Sequence, residues 1–356
     1  MREPTEPNIE HRPEREEHRR RKKFSGERKV SRMEKMQKLN IANLSTPIQK
    51  LEKTSHKLGK NIFIKRDDFT GTEISGNKVR KLEYSIKDAL DKGYDTVITT
   101  GGVQSNHARA TAAVCAMENL ECHLVLRGEV KEFEGNLFLD HMLGAEVHMI
   151  GDGHSREAAM EELKIELERQ GKKVYVIPVG ASNAIGSYGY INCYDEIKKQ
   201  EEDMNIHFDS INIAVGSGGT YAGLWYGNKQ DDSKKKILGY SVDDSKEVFT
   251  ESIIHILRDI DKDIDNFDDI FINDEYVGIG YAKATDEELA FYIDFAKSEG
   301  IVLDPAYTGK AFRGMVDEIK QGNYDDQKNV LFIHTGGLQG YTKEMRDRIN
   351  DIISSE

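Results

Sequence analysis

One lysine of the sequence stands in a setting that would make its amine reactive. Lys78 lies in the segment SGNKVRKLEY at 75–84, where small residues precede apolar positions that recur at helical spacing. The spacing predicts that Lys78 lies at the start of a helix, where the positive end of the helix dipole lowers the pKa of an ammonium group. A neutral lysine amine captures carbonyl cofactors as Schiff bases, whereas an ordinary surface lysine would have no chemical role.

A glycine-rich segment, VGSGGT at 215–220, stands between a predicted strand and a predicted helix. Glycine backbones at a helix N-terminus present several N–H groups that donate to a phosphate group. Gly216 and Gly218 fit the first two glycines of a dinucleotide-binding fingerprint, but Tyr221 occupies the position of the third. The segment therefore indicates either a phosphate site of another kind or a purely structural turn.

A polar segment, QSNH at 104–107, follows a predicted strand at 96–100 and opens the next predicted helix. Hydroxyl, amide and N–H groups at the start of a helix suit the carboxylate of a small ligand. Ser105 or Asn106 in this position is also typical of a simple helix N-cap. The segment alone leaves both interpretations open.

Two tyrosines, Tyr281 and Tyr307, lie 26 residues apart in segments rich in glycine and small residues. A phenol stacks on a flat ring and can also move a proton. Most tyrosines have neither role, so Tyr281 and Tyr307 are candidate site residues only because of the resemblance described below. The histidines show no H-E-x-x-H spacing and no G-x-S-x-G segment occurs, so neither a catalytic metal nor a serine hydrolase is expected.

The elements that must position these residues alternate between strands and helices, which predicts parallel β-α-β units. A first series runs from about residue 61 to 177, and a second series runs from about 195 to the C-terminus. The glycine-rich residues 178–192 are predicted to be a crossing between two halves rather than an element. Further predictions are a helix at 195–204, a largely helical stretch at 247–269, a capping box at Thr285 and Glu288, and a helix at 308–320.

Composition and charge restrict the class of protein. A net charge of −13 disfavours nucleic acid as a partner, and 38% hydrophobic residues suffice for a large core. No apolar run is long enough to span a membrane, and three cysteines offer no disulfide framework. We therefore predict a cytoplasmic protein without a membrane or nucleic-acid partner. Residues 1–32 are rich in charge and poor in apolar residues, which predicts a disordered tail.

Several of these motifs together resemble one family of enzymes. The segments at 75–84, 215–220 and around both tyrosines are similar to those of the D-cysteine desulfhydrase and 1-aminocyclopropane-1-carboxylate (ACC) deaminase family. That family belongs to the pyridoxal-phosphate (PLP) enzymes of the tryptophan synthase β type, also called fold type II. The resemblance extends from about residue 41 to the C-terminus. It implies an α/β fold of two lobes, with open and mostly parallel twisted sheets, flanking helices and an active site in the cleft.

The resemblance also implies a homodimer, PLP as cofactor and a small amino acid as substrate. We expect residues 33–74 and 187–356 to form a large PLP-binding domain and residues 75–186 a small α/β domain. By resemblance, Lys78 holds PLP, Asn106 meets its 3′-oxygen, and Asn77 lies near its ring. The expected phosphate loop comprises Gly216, Ser217, Gly218, Gly219 and Thr220. The expected substrate contacts are Ser105, Asn106, His107, Tyr281 and Tyr307, with Lys78, Ser105 and the two tyrosines as catalytic residues.

One position separates the two activities of this family. ACC deaminases carry glutamate after the second tyrosine, where it meets the pyridine nitrogen, whereas Thr308 stands there in this chain, as in the D-cysteine desulfhydrases. A carboxylate would keep that nitrogen protonated and the ring a strong electron sink, whereas a hydroxyl would leave the nitrogen largely neutral. Elimination of a good leaving group tolerates the weaker sink. Thr335 is a second hydroxyl expected near the same nitrogen.

The sequence therefore predicts a PLP-dependent lyase that eliminates hydrosulfide from D-cysteine and yields pyruvate and ammonia. The alternatives within the fold are ACC deaminase, which Thr308 disfavours, and a lyase acting on D-serine, β-chloro-D-alanine or L-cysteate. An alternative of another class is a non-catalytic protein that binds PLP or an amino acid. The lysine, both tyrosines and Ser105 argue against it, because a binding protein does not need all of them.

Overall fold

The strands of the chain form two separate sheets. The structure is a computed structural model that describes residues 36–130, 132–151, 153–231 and 235–355, so the charged tail predicted at 1–32 lies outside the described residues. The strands found there are β1 (Ile48–Lys50), β2 (Asn61–Lys65), β3 (Thr96–Gly102), β4 (Glu121–Arg127), β5 (Glu146–Ile150), β6 (Val174–Val176), β7 (Ser210–Val215), β8 (Lys236–Ser241), β9 (Phe271–Asn273) and β10 (Asn329–Ile333).

The larger sheet has the strand order β1-β2-β10-β7-β8-β9, and the smaller sheet has the order β5-β4-β3-β6. Only the pairing of β1 with β2 is antiparallel among the described strands. Helices cover both faces of such sheets, so their inner strands are apolar along their length, and all six residues of β7 are buried. The predicted α/β class with mostly parallel sheets is confirmed.

Helices surround both sheets. They are α1 (Glu52–Leu58), α2 (Asn77–Asp91), α3 (Asn106–Met117), α4 (Gly135–Met142), α5 (Arg156–Arg169), α6 (Ala184–Met204), α7 (Gly219–Gln230), α8 (Lys246–Ile260), α9 (Asp286–Glu299), α10 (Thr308–Lys320) and α11 (Lys343–Ser355). The capping box is confirmed, because Thr285 and Glu288 bond each other's backbone at the start of α9. No helix of the described residues is long and apolar enough to cross a membrane.

The chain from residue 39 to 356 forms one compact unit. The larger sheet takes its strands from 48–65 and 210–333, and the smaller one from 96–176. An apolar core packs around each sheet. The division into domains at 33–74 with 187–356 and at 75–186 stays a prediction.

A long helix replaces part of the predicted crossing. The prediction that 178–192 form no element is wrong for its second half, because α6 begins at Ala184 rather than near residue 195. Asn183 caps this helix by accepting a hydrogen bond from the N–H of Gly186. The glycines permit close packing here, since a Cβ on Gly189 would overlap the carbonyl oxygen of Arg80 in α2.

The predicted helical stretch at 247–269 is wrong in its second half, because α8 ends at Ile260. Short polar side chains there bond to the backbone two residues on. The Asp261 carboxylate accepts from the N–H of Asp263, and the Asn266 side chain accepts from the N–H of Asp268. These local turns compete with helical hydrogen bonds.

A buried ionic network fixes helix α2 against the larger sheet. Arg80 donates to both carboxylate oxygens of Asp67 at 2.9 Å and to Glu196 of α6 at 3.0 and 3.1 Å. Lys65 of β2 donates to the same Glu196 at 2.6 Å, and Tyr190 donates to Asp67 at 2.5 Å. Because buried charges must be paired, this network holds α2 in one position relative to β2 and α6.

Candidate active site

The candidate active-site cavity lies at the carboxyl ends of parallel strands. Ligands bind at this edge in folds of this kind. Its lining residues come from the start of α2, the start of α3, the loop between β7 and α7, and the loops after β10 and before α10. They are Asn77, Lys78, Asn106, Ala214, Val215, Gly216, Ser217, Gly218, Thr220, Tyr221, Tyr307 and Thr335. The structure thus brings most of the predicted site residues together. Ser105, His107, Gly219, Tyr281 and Thr308 lie around this cavity without lining it.

Lys78 is the second residue of α2 and lines the cavity. Burial lowers the pKa of its ammonium group to about 8, so a neutral amine is accessible near neutral pH. The start of α2 is held in place by the N–H of Asn77, which donates to the carbonyl oxygen of Thr335 at 3.2 Å. Gly76 permits this approach, because its φ is +100° and a Cβ there would lie 2.6 Å from the same oxygen.

The glycine loop forms the N-terminus of α7, as the sequence predicts for a phosphate site. The amide of Asn77 donates to Thr220 at 3.1 Å and thereby joins the lysine helix to this loop. Gly219 belongs to the loop but faces away from the cavity, since a Cβ on it would lie 2.6 Å from the amine of Lys81.

Lys81 and Ser182 are site residues that the sequence argument missed. Lys81 is fully buried, and its amine donates to Ser182 at 2.8 Å. Ser182 in turn donates to Ser217 at 2.8 Å and accepts from the N–H of Gly219 at 3.3 Å. Burial and the nearby Lys78 lower the pKa of Lys81 well below its usual range. The position of Lys81, one helical turn after Lys78, could have identified it from the sequence. No sequence pattern pointed to Ser182.

The segment at 104–107 has two different roles in the structure. Asn106 lines the cavity, and its side-chain oxygen accepts from Asn136 at 3.0 Å, so its amide group is held in one orientation. Ser105 caps α3, since its hydroxyl accepts from the N–H of Ala108 at 3.2 Å. The structure thus agrees with the interpretation of Ser105 as a helix N-cap. Its contact with substrate stays a prediction.

His107 is buried beside the cavity rather than in its wall. Its Nε2 lies 2.8 Å from the hydroxyl of Thr99, which donates to the carbonyl oxygen of Ile177 at 2.8 Å. The ring therefore donates through Nε2. Burial, followed by the charges of Lys78 and Lys81, lowers the pKa of His107 well below its usual range. A neutral His107 supports the packing of α3, and its predicted contact with substrate is untested.

The two predicted tyrosines form a pair. Their hydroxyl oxygens lie 2.5 Å apart, and their rings meet edge to face with centroids 5.7 Å apart. Tyr307 packs on the phosphate loop, where a Cβ on Gly216 would lie 2.9 Å from its ring. Tyr281 lies beside the end of β3, 3.7 Å from a Cβ placed on Gly102. The pair therefore joins the two sides of the cavity.

Thr308 and Thr335, both predicted near the pyridine nitrogen, differ in the structure. Thr308 is fully buried and does not line the cavity, because its hydroxyl donates to Asp304 at 2.7 Å and accepts from the N–H of Asp304 at 2.8 Å. Its proton is thus engaged at the start of α10. Thr335, by contrast, is one of the residues that line the cavity. The role of Thr308 toward the nitrogen stays a prediction.

The donor set of this cavity fits PLP. Lys78 lines the cavity, the buried amine of Lys81 lies one helical turn further along outside the cavity wall, and no carboxylate occurs among the described residues that line the cavity. Such a site favours an anion, because two neighbouring ammonium groups without a counter-ion are costly to bury. The N–H groups at the start of α7 suit a phosphate, and the lowered pKa of Lys78 suits bond formation with an aldehyde.

Comparison with known proteins agrees with this chemistry. A family model described as pyridoxal-phosphate dependent enzyme matches residues 40–336. A bifunctional D-cysteine desulfhydrase/1-aminocyclopropane-1-carboxylate deaminase of Arabidopsis thaliana, named as mitochondrial, is 41% identical over 328 residues, which cover 88% of this chain and 80% of that protein. A D-cysteine desulfhydrase of Serratia proteamaculans is 38% identical over 310 residues, covering 84% of this chain and 93% of that protein.

A solved structure described as an ACC deaminase homologue is 37% identical to this chain. It superposes with a TM-score of 0.83 and covers 91% of this chain and 98% of its own. The resemblance inferred from the motifs is thereby confirmed. The chain belongs to the pyridoxal-phosphate dependent enzymes, within the family of the D-cysteine desulfhydrases and ACC deaminases, and its cofactor is PLP.

Proposed function

We propose that this chain catalyses the α,β-elimination of D-cysteine, in which D-cysteine and water yield pyruvate, ammonia and hydrogen sulfide. The observation that carries the proposal is the absence of any carboxylate among the described residues that line the cavity, together with Thr308 at the position where ACC deaminases carry glutamate. No acidic side chain is then present to keep the pyridine nitrogen protonated. Such a site suits thiolate, which is a good leaving group, better than the opening of a carbon ring.

Bound PLP supplies a conjugated ring that stabilises negative charge at the substrate Cα. The protein supplies binding and proton transfer. Lys78 would hold PLP at its aldehyde group, and its amine, whose pKa is lowered by burial, would accept the proton from the substrate Cα. The N–H groups at the start of α7 would hold the phosphate end, Lys81 would support this loop through Ser182, and the amide of Asn106 would hold the ring from the side of α3.

The tyrosine pair supplies a proton relay beside this lysine. Burial raises the pKa of both Tyr281 and Tyr307, and the hydrogen bond between them favours ionisation of Tyr281 over Tyr307. One phenol can therefore give a proton to the departing sulfur while the other replaces it. Stereochemical preference depends on which face of the substrate this relay and Lys78 reach.

Other substrates remain alternatives within the same site. The names of the relatives include ACC deaminase as well as D-cysteine desulfhydrase. D-serine, β-chloro-D-alanine and L-cysteate also carry a leaving group at the β-carbon. A non-catalytic binding protein is disfavoured because the lysine and the tyrosine pair both adjoin the cavity.

Parallel product assays separate these alternatives. Purified holoenzyme is incubated with D-cysteine, L-cysteine, D-serine or ACC, and sulfide, pyruvate and 2-oxobutyrate are measured. The proposal predicts sulfide and pyruvate in equal amounts from D-cysteine, at a kcat/KM about tenfold or more above that for ACC. Formation of 2-oxobutyrate from ACC without sulfide from D-cysteine would assign the other activity. Binding of D-cysteine without products would make the chain a binding protein.

The apolar surface around α4 supports a homodimer. Phe133, Phe138 and Met142 are exposed by 57%, 42% and 69%, and Phe133 contacts both Phe138 and His141 with ring centroids 6.2 and 4.8 Å apart. An exposed apolar patch of this kind is typical of an interaction surface, and a second copy of this chain is the occupant that we propose. Light scattering should give twice the chain mass, and Phe138→Glu should give a monomer. An unchanged mass for that variant would contradict the assignment of this surface.

We also propose a cytoplasmic location and no nucleic-acid or membrane partner. The three cysteines are free and buried, as expected where thiols stay reduced, and the net charge of −13 would repel nucleic acid. Cell fractionation followed by immunodetection tests the location. Recovery with an organelle or with membranes would contradict it.

A further inference from the structure

Two histidines and a glutamate meet on the smaller sheet, away from the cofactor cavity. His123 lies in β4, and Glu146 and His148 lie in the neighbouring edge strand β5. His123 is directly opposite Glu146 in the register of the two parallel strands. All three side chains therefore project from the same face, because residues i and i+2 of a strand share a face.

The distances among the three side chains fit a shared metal ion. Nδ1 of His123 lies 3.0 Å from Nε2 of His148, and each of these nitrogens lies 3.7 Å from an oxygen of Glu146. Ligand atoms about 2.0–2.1 Å from a tetrahedral zinc ion are about 3.3–3.4 Å apart. The observed separations lie on either side of that value, so small side-chain movements would complete the geometry.

The surroundings of His123 are those of an oriented metal ligand. Its Nε2 lies 2.9 Å from a carboxylate oxygen of Glu121, and Lys172 pairs with the same carboxylate. Nε2 therefore carries the proton, and the lone pair of Nδ1 points toward His148 and Glu146. A carboxylate that accepts from the second nitrogen of a histidine is the usual support of a ligand to zinc.

We propose that His123, Glu146 and His148 bind one zinc ion, which ties the edge strand β5 to β4. Two imidazoles and a carboxylate are ligands that zinc accepts readily. The fourth position would be taken by water. The cluster lies at the beginning of β4 and β5, whereas the cofactor cavity lies at the carboxyl ends of the strands. The ion would therefore stabilise the sheet and take no part in the PLP chemistry.

Zinc counting on the holoenzyme tests the proposal. The protein is freed of metal on a chelating resin, mixed with zinc chloride and separated from free ion, and the zinc per chain is measured by atomic spectroscopy. We expect one zinc ion per chain, with His148→Gln and Glu146→Gln weakening its affinity about tenfold or more. Glu121→Gln should weaken it about 10- to 100-fold by loosening His123. His255→Gln is the matched control, because His255 is exposed on helix α8, outside the smaller sheet, and it should leave affinity unchanged.

Thermal denaturation provides a second readout that does not depend on activity. Zinc should raise the Tm of the wild-type protein by a few degrees and leave that of His148→Gln unchanged, while both proteins have similar Tm values without zinc. Failure of the wild-type protein to retain zinc would overturn the proposal. Equal zinc affinity in the wild-type protein, His148→Gln and Glu146→Gln would also overturn it, because the ion would then be bound elsewhere.

Discussion

The hydroxyl oxygens of Tyr281 and Tyr307 lie 2.5 Å apart at one side of the cofactor cavity. A single proton lies between them, so only one of the two phenols can be ionised at a time. Burial raises the pKa of Tyr281, and its hydrogen bond with Tyr307 offsets part of that rise. Tyr281 is therefore the phenol that ionises first, and Tyr307 would donate to the resulting phenolate.

This relationship predicts different defects for the two tyrosines. Tyr281→Phe should lower kcat for D-cysteine about 10²–10⁴-fold, the range of general acid–base catalysis. Tyr307→Phe removes the donor, so the pKa of Tyr281 should rise and the increase of kcat with pH should move to higher pH. The pH dependence of kcat measures this. Tyr292→Phe is the control, because the Tyr292 hydroxyl is buried without a hydrogen-bond partner among the described residues. Wild-type profiles for both pair variants would contradict the relay.

Lys81 should contribute to cofactor affinity rather than to the reaction itself. In Lys81→Met the hydrogen bonds that join Lys81 through Ser182 to the phosphate loop would be lost, so the Kd for PLP should rise about 10- to 100-fold. Titration of the PLP-free protein with PLP measures the change. Lys87→Met removes a surface lysine of the same helix, which pairs with Asp91, and should leave the Kd unchanged. An unaltered Kd for Lys81→Met would show that Lys81 acts only in packing.

Substitutions of Thr308 and Thr335 should affect different properties. The first should mainly lower stability, and the second should mainly lower activity. Thr308→Val breaks two hydrogen bonds with Asp304 and leaves a buried carboxylate less well satisfied, so the free energy of unfolding should fall by about 1–3 kcal/mol. Thr335→Val should lower kcat about tenfold with a smaller change in stability, because Thr335 lines the cavity. Urea denaturation and steady-state kinetics give the two quantities. The reverse pattern would place Thr308, and not Thr335, at the cofactor ring.

The buried network around Asp67 should set stability in acid. Arg80 and Lys65 outweigh burial and lower the pKa of Asp67 to about 2, below the value of about 3.9 for the unfolded chain. The network therefore contributes ~2 kcal/mol above pH 4, and this is lost as the pH falls from about 4 to 2. Arg80→Met leaves Asp67 without its main partner and should cost about 3–5 kcal/mol at neutral pH.

Denaturation midpoints between pH 2 and 7 test this prediction. The Lys87→Met variant again serves as a control, since an exposed ion pair contributes at most about 1 kcal/mol. Equal stability of Arg80→Met and the wild-type protein at neutral pH would show that the network does not anchor α2. A loss of stability that did not depend on pH would show that Asp67 is not its acid-sensitive member.

The positions of residues that depend on local sequence were predictable. Lys78 and the glycine loop follow from short segments, because a helix start and bare glycine backbones need no distant partner. The helix at Thr308–Lys320 also matches its predicted bounds, since its apolar spacing is strong. Asn106 was placed correctly in the cavity wall because it opens a helix after a parallel strand.

The features that depend on contacts between distant segments were not predictable. Ser182 lies 101 residues from Lys81, and no local pattern joins them. The prediction of an irregular segment around Gly189 was wrong in part, because the packing of α6 against Arg80 cannot be inferred from the glycines alone. His123 and Glu146 meet only through the register of two strands.

The measurement that tests the central claim most directly follows absorbance, sulfide and pyruvate in one cuvette before and after addition of D-cysteine. The wild-type protein should show the visible band of lysine-bound PLP, change it on addition of D-cysteine and release both products in equal amounts. Lys78→Ala should show neither the band nor turnover, and Lys87→Ala should behave as the wild-type protein does. A band that shifts without products would contradict the assignment of D-cysteine as substrate. Full turnover by Lys78→Ala would contradict the assignment of the catalytic lysine.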